Sequence, residues 1–155
     1  MIVKSLPMCV RTSDGTHEWS LDRAEGDDGD ILALRAPDSR EWTAAGSNVF
    51  HALMELRERV EPEGILLCCN GARRDVYPSR LALSMTGGEV AYQLRWGRRP
   101  SVRHLVEVLD PADCADVVTV QEQQAWFQRW SQTVTGWRYP LNVLASIVRP
   151  GRGDW

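Results

Sequence analysis

The sequence predicts an α+β fold: one mostly antiparallel sheet, in the order βββ-α-β-α-ββ-α, with helices packed mainly on one face. Three observations predict it. Short stretches alternate apolar and polar residues between clusters of turn residues, as half-buried strands do. Longer stretches place apolar residues at helical spacing behind a side-chain cap. One run, Ile65–Cys69, is too short for a helix and apolar on both sides, as a buried strand is.

Taken in order, residues 1–15 read as a loose lead-in with at most a short strand. His17–Leu21 alternates and points Trp19 and Leu21 inward. Ile31–Ala36 and Glu41–Ala45, each following a turn, complete a three-stranded meander. Ser47 can cap a helix running to about Glu61. Val49, Leu53, Leu56 and Val60 would share its apolar face, with Glu55, Arg57, Glu58 and Arg59 solvated. Pro62 and Gly64 end it. Ile65–Cys69 then reads as a central strand, and residues 70–78 as a loop. Ser79 can cap a short helix, Arg80–Thr86, that Gly87 and Gly88 stop.

Glu89–Trp96 alternates again, with Val90, Tyr92, Leu94 and Trp96 expected inward and Ala91 outward. A turn at 97–101 leads to a strand at Val102–Leu109. Asp110-Pro111 predicts a helical turn by the cap-then-proline rule. Thr119-x-x-Glu122 is a capping box for a helix to about Thr135, stopped at Gly136. Leu141–Val148 is apolar with neither period dominant, and 149–155 reads as a loose tail.

The 155 residues, 43% hydrophobic and 25% charged, suit a single globular domain and exclude collagen, coiled coil and a disordered chain. A net charge of -3 excludes a generally basic nucleic-acid binder. No secretory signal pattern is legible, and no apolar run is long enough to span a membrane. Arginine outnumbers lysine so heavily, with Lys4 the single lysine, that a GC-rich bacterial genome is the simplest cause. Cys68 and Cys69 are adjacent, Cys9 and Cys114 are remote, and no Cys-x-x-Cys occurs. That pattern argues for reduced thiols in a cytoplasm, with no structural zinc, no other metal and no cofactor.

Four features are candidates for function. The first is the segment from Cys68 to Ser79, which leaves a buried strand and enters a helix. Asn70, Arg73, Arg74, Tyr77 and Ser79 could there hold an anion. The bland alternative is a structural turn with Asp75 pairing locally. The second is segregated charge. Arg73, Arg74, Arg80, Arg95, Arg98, Arg99 and Arg103 face only Asp75 and Glu89 between residues 73 and 103, whereas residues 14–30 and 104–128 are acidic. Arg95, Arg98 and Arg99 join the first segment in a proposed basic face. Neutralisation across the fold is the competing account.

The third feature is the tryptophan stripe Trp126, Trp130 and Trp137, which at helical spacing reads as core and alternatively as a partner-binding patch. The fourth, Cys68 or Cys69 with His51 or His104, lacks the local signature of a thiol enzyme. Arg98–Ser101, a basic kinase-like string, and the Arg152-Gly-Asp154 tripeptide are chance matches in a chain rich in Arg and Asp. The resulting expectation is a small non-enzymatic cytoplasmic protein that binds a protein partner, in an inhibitor, immunity-type, adaptor or pathway-accessory role. An acidic partner fits the arginines; nucleic acid and membrane do not. The alternative is a small-molecule or phosphate-binding domain, an enzyme among the options, with its anion site at Asn70–Ser79.

Overall fold

Strand pairing begins at the first described residue. The computed structural model describes residues 2–134. β1 (Ile2–Thr12) and β2 (Gly15–Gly26) form a long hairpin whose register runs from Ile2 opposite Glu25 to Thr12 opposite Gly15. β3 (Gly29–Arg35) and β4 (Glu41–Gly46) continue the meander, and β5 (Leu66–Leu67) adds to the free edge of β1. The order is β4-β3-β2-β1-β5, all antiparallel, curled into a half-barrel. Because partners across an antiparallel ladder share a face, the register builds apolar layers. Met8 faces Trp19, and Leu6, Leu21, Leu34 and Trp42 line up across four strands.

Helix α1 (Val49–Val60) lies across the concave face, and Val49, Phe50, Leu53, Leu56 and Val60 are fully buried against it. Its cap is Asn48, one residue later than Ser47, with Oδ1 accepting from the His51 N–H at 3.0 Å. A second sheet, β6 (Val76–Tyr77), β7 (Val90–Gln93) and β8 (Leu105–Glu107), is also antiparallel. Helix α2 (Arg80–Thr86) is capped by Ser79 and ends at left-handed Gly87, as its residues dictate. Helix α3 (Val120–Thr133) is capped by Thr119, whose hydroxyl accepts from the Glu122 N–H at 3.2 Å.

Two sheets replace the expected single sheet with helices on one face. The cause lies at residues 65–76. Leu66 and Leu67 pair only with the sheet edge at Arg11 and Val10, so this strand is peripheral rather than central. Its two-sided burial comes from chain, not strands. Ala112 N–H donates to the Cys68 carbonyl, and Cys69 bridges to Pro111. The backbone then turns through a 3-10 segment, Asn70–Ala72, and restarts at Val76 in a new ladder.

Other expectations are corrected. Residues 2–15 are not loose: β1 pairs along its whole length, and Pro7 is tolerated because β5 reaches only Val10 and Arg11 on its other side. Arg57 is buried, not solvated. Ala91, expected outward, is fully buried, and Trp96, expected inward, is 55% exposed beyond the end of β7, whereas Leu94 is buried as expected. Both faces of β7 are covered, Ala91 by the α1 core and Tyr92 and Leu94 by a second cluster of Tyr77, Phe127, Trp130 and Val134, so alternation there carries no face. Val102–His104 is a 3-10 turn, which leaves only Leu105–Glu107 as strand. Pro111 sits in an isolated bridge rather than a helical turn. Cys68 and Cys114 form a disulfide, contrary to the expected reduced set, because the 108–118 segment crosses back over the end of β5. No helix among the described residues is long and apolar enough to cross a membrane. Gly136, Trp137, Leu141–Val148 and the 149–155 tail lie outside the described residues.

Candidate binding site

The turn after β7 is built to project arginines. Leu94 is buried, and its N–H is held by the Asp75 carbonyl at 2.7 Å. Gly97 takes φ 72°, a left-handed conformation that a side chain would strain, and reverses the chain. Its N–H donates to Thr133 Oγ1 at 3.1 Å, and Trp130 Nε1 donates to the Arg95 carbonyl at 2.7 Å. The C-terminal end of α3 therefore clamps the turn from beneath. Ser101 Oγ accepts from the Arg103 N–H at 3.3 Å and starts the 3-10 turn that leads into β8.

Between these arms lies a cleft of about 410 Å³, lined by Gln93, Arg95, Arg98, Arg99, Ser101, Arg103 and His104. Among the described residues no carboxylate lines it. Among the described residues, Arg95, Arg98 and Arg103 enter no ion pair, although four of the seven lining side chains are guanidiniums. Beside it Trp96, Val102 and Leu105 are exposed, at 55%, 73% and 42%. Trp96 stands edge-on to half-buried Trp126, with ring centres 5.8 Å apart. The cleft can bind an anion by charge-assisted hydrogen bonds, and its rim can bury apolar surface.

The other proposed segment is committed internally. Asn70 Nδ2 donates to the Glu107 carbonyl at 3.0 Å. Arg73 grips Asp75 through two hydrogen bonds of 2.9 and 3.0 Å and reaches Asp116 at 3.3 Å, and the Asp75 bond foremost raises its pKa. Arg74 is exposed. Tyr77 is buried against Phe127, ring centres 4.0 Å apart, and burial pushes its hydroxyl pKa upward. Ser79 Oγ is used by the Ala82 N–H. The first segment runs beside the cleft through the β6–β7 ladder, where Val76 pairs with Gln93, and Asp75 accepts from Gln93 Nε2 at 3.3 Å on the edge of the cleft. Arg95, Arg98 and Arg99 come together; Asn70, Arg73, Tyr77 and Ser79 serve the framework.

Arg103 and His104 line the cleft, although the sequence counts Arg103 only toward the local charge surplus and His104 only in a thiol pair without a local signature, and places neither in the basic face. The local surplus of arginine was the signal for Arg103. A strand reading of 102–109 hid it, because alternation would have sent 103 and 104 to opposite faces. The buried Arg57 is a second surprise. It donates to Gln123 Oε1 at 2.5 Å, to the Gly71 carbonyl at 3.2 Å and to the Val118 carbonyl at 2.7 Å, with Glu61 at 3.4 Å. Burial lowers the Arg57 pKa and raises that of Glu61, so each side of this pair bears a desolvation cost. Its role is to fasten the chain on which the cleft is mounted. Cys69, fully buried, has its thiol pushed up to about 11 by burial, the opposite of a nucleophile's requirement. No protein-family model matches the chain, and no curated protein is significantly similar to it.

Proposed function

We propose that this protein is a non-enzymatic binding module that holds an acidic segment of a partner protein in the arginine cleft of residues 93–104. One observation carries the reading: four guanidiniums line a cleft with no carboxylate among its described lining residues, and exposed Trp96, Val102 and Leu105 adjoin it. Guanidiniums alone would suit any small anion. The apolar rim adds what a protein partner needs, since tryptophan and arginine are the commonest interface anchors. The small-anion alternative at Asn70–Ser79 has less support. Asn70, Arg73 and Ser79 are already bonded within the fold, Tyr77 is buried, and α2 spans only 7 residues.

In-cell photocrosslinking tests the reading. A benzophenone amino acid at Trp96, in cells of the native source, is expected to give one dominant protein adduct. Arg98→Glu with Arg103→Glu should abolish it while thermal stability stays within a few degrees, because exposed charges contribute only about 0–1 kcal/mol. Absence of any adduct, or an adduct indifferent to the charge reversal, refutes the proposal.

A further inference from the structure

Three cysteine sulfurs from remote parts of the sequence, those of Cys9, Cys68 and Cys114, lie within 4.8 Å of one another. Cys9 is a free thiol on β1, and its sulfur sits 3.7 Å from that of Cys114, which is bonded to Cys68. A disulfide needs two cysteines. The third, placed against it, calls for its own explanation.

The backbone holds all three positions without help from the disulfide. The Cys68 N–H donates to the Cys9 carbonyl at 2.8 Å, and the Ala112 N–H to the Cys68 carbonyl at 3.1 Å. Arg11 Nη1 donates to the Cys114 carbonyl at 2.8 Å. Opening the disulfide therefore leaves three thiols gathered at one point. Three thiolates around one d10 ion at about 2.3 Å stand about 4.0 Å apart in a trigonal plane, within a few tenths of an ångström of the 3.7 Å between the Cys9 and Cys114 sulfurs.

We propose that, once reduced, Cys9, Cys68 and Cys114 form a three-thiolate site for Cu(I), and that the disulfide is the closed, metal-free form of that site. Soft thiolate donors select soft ions. Zn(II) prefers four ligands, whereas three thiolates complete a trigonal Cu(I) site, and among the described residues neither histidine nor carboxylate joins the cluster. The site becomes net negative when filled, and the neighbouring Arg11 guanidinium offsets part of that charge. Opening requires a two-electron reductant, such as a dithiol. A dithiol gives two electrons and two protons to the Cys68–Cys114 bond and is itself oxidised to a disulfide. The three thiol protons pass to solvent as the ion binds.

The test uses the full chain, reduced with a phosphine under nitrogen. Cu(I) is titrated against a bathocuproine chelator, and Zn(II) against a zinc indicator in a parallel arm. We expect one Cu(I) retained per chain, with ultraviolet thiolate-to-copper absorption, and no retained Zn(II). The disulfide-bonded protein should retain neither ion. Cys9→Ser leaves the disulfide pair untouched and should abolish retention; Cys69→Ala, outside the cluster, should preserve it. Loss of far-ultraviolet circular dichroism on reduction overturns the proposal, since the backbone must hold the triad. So does Cu(I) retention by Cys9→Ser equal to wild type, retention of Zn(II) alone, or no retention by the reduced wild type.

Discussion

Replacing Gln123 with leucine probes how the arginine cleft is supported. The side chain is fully buried on α3. Its Nε2 serves the carbonyls of Gly71, Arg73 and Val76 at 3.0, 2.9 and 2.9 Å, and its Oε1 accepts from Arg57. Each neutral bond contributes about 1 kcal/mol net and the bond from the guanidinium about 2 kcal/mol, giving a gross loss near 5 kcal/mol. The leucine recovers about 1–2 kcal/mol by burying apolar surface. A net destabilisation of about 3–4 kcal/mol is expected, a large part of a typical stability of about 5–15 kcal/mol. In urea, with a slope of about 2 kcal/mol per molar, the midpoint should fall by roughly 1.5–2 M at unchanged slope. Conservative shape is no protection here, because leucine leaves a buried guanidinium and several carbonyls without their shared partner. A midpoint shift under about 0.3 M would refute the reasoning, since the network would then be contributing almost nothing beyond what packing supplies.

Trp130→Ala should cost about 3–5 kcal/mol, because Trp130 is fully buried and anchors the Arg95 carbonyl, while half-buried Trp126 should cost less than half of that in the same thermal melts. Burial holds the His51 pKa below the 6.5 of a free imidazole, so on acidification through that value the unfolded chain takes up a proton before the folded one. Stability should therefore fall as pH drops from about 6.5, with a limiting slope of about 1.4 kcal/mol per pH unit, and His51→Gln should flatten the profile in chemical denaturation. Gly71→Ala should destabilise by about 1–3 kcal/mol, since its Cβ would sit 2.5 Å from Leu53 Cδ2 and 2.6 Å from Val108 Cγ1; an unchanged melting temperature would contradict that packing.

The amino-acid sequence determined, on its own, the elements whose cause is local. The meander from residue 17 to 45, the Ser79 and Thr119 caps, and the stop at Gly87 follow from alternation, side-chain oxygens and a missing Cβ. Those forces act within a few residues. The surplus of arginines at 95–99 was legible for the same reason, as a count within one segment. Only the tertiary structure decided what depends on chain returning from afar. It buried Arg57 by bringing Gln123 and Val118 to it, and gave Arg73 to Asp75 and Asp116. It split one expected sheet into two, because the free edge of β1 carries a ladder only as far as Leu66 and Leu67, after which the chain turns away. It also set Cys9, Cys68 and Cys114 together across sequence separations as large as 105 residues. Spacing along a chain carries no record of such contacts, since their geometry is set by how sheets and loops close over a shared core.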